Sequence, residues 1–382
     1  TGANNTGIGW NALNANTEAS NNTGVGYRAL DAATTGGANT AVGKDALGDL
    51  TTGSENTAVG WTAGGDITTA RFCTAVGRQA LRMNTATEYL TAVGYSALRS
   101  CTGENCTAIG SHAGYSNTDG HGNISVGNYS GYSCTTGDNN IAIGHQSLYA
   151  NTGTENTAMG LLSGRYQTGS NYNTFYGSRA GYATTSSSNV CIGAYGASEL
   201  TSGSGTVIIG YNAQPYTGST ANEIVLGFAC KGVGAGRITI GVSSGSDRIY
   251  NNPSSNASWT RVSDERYKDE ITDNTDCGLN FINDLRPVTF KFKALADIDE
   301  SLPDYDAEAT ERKHEEKHYG LIAQEVKQAM DDNNITDFAG WDNCSGIEAI
   351  SQEMFVHPLI KAVQELTTRL EAAEAKIKTL EG

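Results

Sequence analysis

The chain has 382 residues, with 41 acidic and 25 basic side chains and a formal charge of −16. It therefore offers no basic face to nucleic acid or to an anionic membrane. No apolar run reaches the ~18 residues needed to cross a bilayer, and no signal peptide is visible. The chain opens at Thr1 in mid-repeat, as a piece of a longer protein would. Its charge is uneven: residues 1–262 hold 14 acidic and 12 basic side chains, residues 263–382 hold 27 and 13. That shift marks the main boundary.

Residues 1–241 follow one beat. A glycine recurs in steps of 16 or 17 residues, from Gly9 through Gly26, Gly43 and Gly60 to Gly227, with a shorter last step to Gly241. The segment before it reads Asn-Thr-Ala-Val-Gly or a variant, as at Asn39–Gly43 and Asn56–Gly60. A fixed short period predicts a β-solenoid of stacked units. Within the signature, β-branched residues alternate, as in Ile141 and Ile143 or Val207 and Ile209, which predicts a strand. Those positions are expected to fill the coil.

The residue between them is small in most rungs (Ala41, Ala58, Ala75, Ala92, Ala108). It is expected to face out and to press against neighbouring chains, with Phe175 marking a change in that seam. A second, shorter strand is expected around Ala46-Leu47 and Ala97-Leu98. Thr-Gly pairs such as Thr52-Gly53 supply the corners. The signature asparagines are expected to stack into a hydrogen-bonded ladder. Fifteen rungs at ~4.8 Å make a shaft on the order of 70 Å.

Ala108-Ile109-Gly110-Ser111-His112-Ala113 resembles the rungs of trimeric autotransporter adhesin heads. The Asn-Thr-Ala-Val-Gly arrays resemble more closely those of marine phage and algal-virus fibre proteins. These resemblances imply a trimeric solenoid.

The residue after the glycine is often large, and Trp10, Tyr27, Trp61 and Tyr95 form a candidate glycan-binding column. The same side chains could instead cover a groove or a neighbouring chain. No paired carboxylates recur on one face as a glycosidase requires. No acidic loop has the density of a Ca²⁺ site. The eight cysteines form no CxxC pair and no set with metal-ligand spacing. No metal and no cofactor are expected, and the cysteines read as buried small residues. Cys73 and Cys106 sit two rungs apart at ~10 Å, beyond disulfide reach. A Cys101–Cys106 bridge or an inter-chain bridge stays open.

Residues 242–262 read as a neck. Beyond it come Ser263-Asp264-Glu265-Arg266-Tyr267-Lys268, a helical stretch Leu279–Leu285 and a strand at Pro287–Lys293. A strand running into a helix follows over His318–Val326. Val356, Leu359, Val363, Leu366, Leu370, Ala373, Ile377 and Leu380 alternate at +3 and +4, a heptad seam that predicts a coiled coil over 356–380. His318 reads as structural. The order of these motifs resembles the C-terminal intramolecular chaperone of phage tailspikes and fibres, endosialidases included, which also occurs in the myelin regulatory factor.

That resemblance implies an α+β domain over 263–382 that trimerises, guides folding of the β-structure before it, and cuts itself off. Ser263 would be the nucleophile, Lys268 the general base, and Val262–Ser263 the scissile bond. A Ser-x₄-Lys spacing alone is equally a capped helix start beside a solvated lysine. The expectation is therefore a mostly β, homotrimeric host-attachment fibre of a virus, extracellular on the virion. Its partners would be itself, virion attachment proteins and a host glycan or protein receptor. It would have no nucleic-acid partner and no membrane insertion. The alternatives are a bacterial surface adhesin, which would need a membrane barrel, and a glycan-degrading tailspike.

Overall fold

The computed structural model describes residues 2–242, 248–253, 260–261, 265, 268–302, 305–312, 315–344 and 347–381. The chain divides into two compact units, Thr1–Lys268 and Asp269–Gly382.

The first unit is mostly a parallel β-solenoid of about 14 turns. Each strand pairs in parallel with the next, from β1 (Thr6–Ile8) and β2 (Thr23–Val25) through β3 (Thr40–Val42) and β4 (Thr57–Val59) to β15 (Ile238–Gly241). The register aligns equivalent residues, Ala41 on Ala58 and Val42 on Val59. The ladder then reverses. β16 (Arg248–Asn251) pairs antiparallel with β15, and β17 (Thr260–Arg261) antiparallel with β16.

The repeat glycine ends each strand for two reasons. Gly43 holds φ at +135°, which side chains avoid, and a Cβ there would lie 2.4 Å from the carbonyl oxygen of Gly60.

The strands face the opposite way from the expectation. Ala41, Ala58 and Ala92 are fully buried, whereas Val42 and Val59 are 37 % and 38 % exposed. The small residue points into the coil and the β-branched pair points out. Period two marks two faces but not which is inside; the width of the coil decides. The expected second strand is instead a tight turn. Ala46 N–H donates to Gly43 O at 3.4 Å, and Leu47 N–H reaches the next rung at Ala63 O, 3.0 Å. Leu47 sits in the left-handed region at φ +48°, which costs ~1–2 kcal/mol. Its complete burial returns about 2 kcal/mol. With these leucines filling the centre, only a methyl group fits on the strand side.

Phe175 shows the same volume rule from the other direction. It lies on β11 (Thr174–Tyr176) and is fully buried inside the coil rather than at a seam between chains. Facing it, Gly164 and Gly181 occupy the turn position that leucine holds in rungs such as those of Leu47 and Leu148. A Cβ on Gly181 would come within 2.3 Å of the Phe175 ring.

The asparagine ladder forms as expected. Asn39 N–H donates to Asn22 Oδ1 (2.8 Å), Asn39 Nδ2 donates to Gly53 O (3.0 Å), and Asn39 Oδ1 accepts from Asn56 N–H (2.9 Å). The run resumes from Asn123 through Asn140, Asn156, Asn173 and Asn189. Between the two runs, Cys73, Leu90 and Cys106 take the place of asparagine. Asn39 Nδ2 donates to the carbonyls two residues back (Gly37, 3.2 Å) and fourteen ahead (Gly53). Cys73 Sγ contacts the equivalent carbonyls of Arg71 and Thr87, both at 3.4 Å. Cys106 Sγ does the same with Glu104 (3.4 Å) and Gly120 (3.2 Å). These cysteines are weak-donor substitutes within the ladder.

The second unit runs α1 (Leu279–Asp284), β18 (Val288–Phe290), β19 (His318–Gly320), α2 (Ala323–Asp332), β20 (Trp341–Cys344), β21 (Ile347–Ile350) and α3 (Val356–Glu381). β18 pairs antiparallel with β19, and β20 with β21. Phe281, Val326, Ala329, Met330, Ile335 and Phe355 form its core. The β20–β21 hairpin carries no regular alternation and was not expected from the sequence.

Candidate functional site

The chemistry anticipated for the C-terminal unit centres on Val262, Ser263 and Lys268. Val262 and Ser263 lie outside the described residues. Lys268 is exposed, and its backbone N–H donates to Glu265 O at 2.9 Å.

The unit that follows is tied together by a few polar contacts around its apolar core. Glu365 on α3 accepts the backbone N–H of Leu279 at 2.9 Å, stopping the start of α1 against the long helix. Arg286 grips Glu325 with two guanidinium nitrogens, Nε at 3.0 Å from Oε2 and Nη2 on Oε1. That hydrogen-bonded pair holds the Glu325 carboxyl below its ordinary value and raises Arg286. His318 stacks on Phe290 at 5.7 Å and meets Phe292 edge-on at 5.1 Å, a packing role. An open apolar cavity of about 370 Å³ lies along β18 and β19, between Pro287, Tyr319, Leu321 and Phe355.

α3 carries an apolar seam that the chain itself leaves open. Val356, Leu359, Val363, Leu366, Leu370 and Ile377 are all about half exposed, so the heptad seam is intact and uncovered in one chain. Its flanking charges have a direction. With Val363 and Leu370 at a, Arg369 and Lys376 fall at g, and Glu374 and Glu381 fall at e. Parallel, in-register helices bring Arg369 to a neighbour's Glu374 and Lys376 to a neighbour's Glu381. Antiparallel helices would instead set like charges together.

The column Trp10, Tyr27, Trp61 and Tyr95 is exposed and continuous. Trp10 stacks on Tyr27 at 5.0 Å. Lys44 Nζ lies 5.4 Å from the Tyr27 ring and 5.7 Å from Trp61. Arg78 lies 4.4 Å from Trp61 and 5.6 Å from Tyr95. Ring faces are thus used within the ladder, and ring edges and polar tips are what the column presents to solvent. The sequence reading missed a second column, in which Tyr132 stacks on Tyr115 and on Tyr149, both at 5.1 Å. Its signal is a tyrosine five residues after the glycine in three successive rungs.

Cys73, Cys101, Cys106, Cys134, Cys191 and Cys230 are free and buried. Burial pushes Cys73 up to about 11 and Cys134 up to about 12. Cys101 is held protonated chiefly by its hydrogen bond to Cys106.

Residues 263–335 match the family described as chaperone of endosialidase. The match begins at Ser263 and runs through α1, β18, β19 and α2. No curated protein and no solved structure matches the chain.

Proposed function

We propose that this chain is part of a homotrimeric viral fibre, most simply that of a tailed phage, whose C-terminal unit is the assembly chaperone for the solenoid. The observation that carries this reading is the chaperone-family match over residues 263–335, placed directly after a repeat solenoid. The physical need is specific. Nearly identical rungs can pair one step out of register at little cost in local contacts. A C-terminal nucleus, closed by parallel α3 helices, sets the register before the rungs pair. The a and d residues of α3, mostly β-branched and leucine respectively, favour two strands in an isolated coiled coil. The number three therefore rests on the family.

In this reading the unit then releases itself. The Ser263 hydroxyl attacks the adjacent Val262 carbonyl carbon, and Lys268 takes the hydroxyl proton. Lys268 returns that proton to the Ser263 nitrogen as the C–N bond breaks, and the acyl group passes from nitrogen to oxygen. Water hydrolyses the resulting ester to free the Val262 carboxylate and the Ser263 hydroxyl. An amine serves as base only when desolvation or a nearby cation lowers its pKa. Lys268 is exposed in one chain, so the reading couples cleavage to assembly, when neighbouring copies cover it. The solenoid left behind is the virion's extracellular host-attachment part. It would bind a cell-surface glycan or protein through polar ring edges of the Trp10–Tyr95 column.

The test compares the full chain, Ser263→Ala and a 1–262 truncation by intact mass and light scattering. The full chain should give a trimer and two fragments, the Ser263→Ala variant an uncut trimer, and the truncation insoluble or single-chain material. Soluble trimer from the truncation would overturn the chaperone role. Equal intact masses for the full chain and Ser263→Ala would remove self-cleavage.

A further inference from the structure

The outward positions of β1–β15 make one surface. Each strand contributes two side chains to it, and in register they stack into two columns along the shaft. One column is Val, Ile, Leu or Met throughout, save for Tyr176. The other is Thr in the first seven rungs and Val or Ile in the last four. No outward position carries a charge. Ile109, Ile124, Ile209 and Ile240 remain about two-fifths exposed. The stripe is ~70 Å long and, at two residues across, roughly 10 Å wide. That is about 700 Å² per copy, the scale of a standard protein interface.

We infer that this stripe is the contact between copies of the chain, parallel and in register, and that Tyr176 locks along the shaft the register that the C-terminal unit starts. The inference rests on the assembly reading above. Three observations select a second copy as the occupant. The stripe is uncharged and self-complementary, since equivalent rungs present identical side chains. It runs the whole shaft, as only an equally long partner with the same rung spacing could match. The charges flanking the α3 seam independently select parallel, in-register chains.

Within such a stack most rungs are interchangeable, so the stripe needs a mark. Tyr176 is the only aromatic on it and is 56 % exposed, between Met159 and Ile192 in the adjoining strands. In register, the tyrosines of all copies meet at one level, where their rings can stack. One rung out of step, each opposes a Met or Ile of another size. The change of the second column from Thr to Val and Ile adds a gradient. The most apolar rungs are those nearest in sequence to the C-terminal unit, so pairing would start there.

The test uses the full chain with Val59→Cys, co-expressed with Val76→Cys, and a short bifunctional thiol reagent. Adducts are located by peptide mass spectrometry. Thr52→Cys, on the turn side of the coil, is the control. The inference expects 59–59 and 76–76 adducts, at least tenfold less 59–76 adduct, and none between chains at position 52. Adding Tyr176→Val should raise the 59–76 share severalfold. Oligomers with no 59–59 adduct would overturn the stripe while leaving the assembly reading standing. An unchanged 59–76 share in Tyr176→Val would overturn the register role alone. A single chain by light scattering would overturn both readings.

Discussion

Replacing Asn39 with alanine tests what holds one rung on the next. The Asn39 side chain accepts from Asn56 N–H and Asn56 Nδ2 and donates to Gly53 O, all fully buried or in backbone without access to water. The alanine variant strands the Asn56 N–H, a loss of ~1–3 kcal/mol for a buried orphan donor, and removes a further bond of ~1 kcal/mol to Gly53. The sum, about 3 kcal/mol, falls on the local stability of rungs three and four, because a solenoid rung depends on its neighbours and not on the whole. At 1.4 kcal/mol per decade, amide hydrogen exchange at Asn56 should speed up by roughly 100-fold, while amides near Asn173 keep their protection. Asn39→Cys should show a smaller effect, because cysteine already fills this place at residues 73 and 106. Protection at Asn56 within threefold of wild type in Asn39→Ala would refute the ladder as a source of stability.

Three further outcomes follow from the same geometry. Gly43→Ala should destabilise the solenoid by ~3 kcal/mol or more in urea melts, since both φ and the Gly60 carbonyl exclude a Cβ; a change under 1 kcal/mol would contradict the close approach. Leu366→Asp places a charge in the α3 seam and should shift the full chain from oligomer to single chain by light scattering, with unchanged far-ultraviolet dichroism of the β-structure at equal folded yield. For Cys73, burial raises the folded thiol to about 11, above the ~8.5 of an unfolded chain. Its contribution to stability is thus complete below pH ~8.5 and fades as pH rises through about 11. A disulfide reagent at pH 8 should label Cys73 and Cys134 only on unfolding; rapid labelling of the folded protein would refute their burial.

The sequence carried the rung spacing, the strand positions and the asparagine ladder, because each depends on a local requirement repeated at fixed intervals. It did not carry the facing of the strands. Alternation in Thr40-Ala41-Val42 separates two sides, and the usual rule puts valine inside. In rungs such as that of Leu47, the leucine, held in the left-handed region, fills the coil from the turn side and leaves room only for alanine, whereas Ile208 and Val225 hold the inner position in rungs without it. That conformation is rare for leucine, so no propensity signals it. Phe175 could have given the answer. Its pairing with Gly164 and Gly181, where Leu47 and Leu148 stand in other rungs, is a volume exchange across the interior. In the C-terminal unit, α1, β18, β19, α2 and α3 fall where their patterns placed them. The β20–β21 hairpin is short and mixed in polarity, and its place comes from packing of Trp341 and Ile350 against the core.

The direction of the hydrogen bonds has a mechanical consequence. From Asn5 to Glu223 they run from rung to rung, parallel to the coil axis. A pull along that axis therefore loads the rungs in series, each carrying the full force across a few bonds. One opened rung releases 17 residues, which at ~3.4 Å each lengthen the chain by about 50 Å beyond the ~4.8 Å it occupied. A single chain should yield in repeated steps of that length at low force. Side-by-side copies would share the load and keep a released rung within reach of its template, so that extension becomes reversible rather than final.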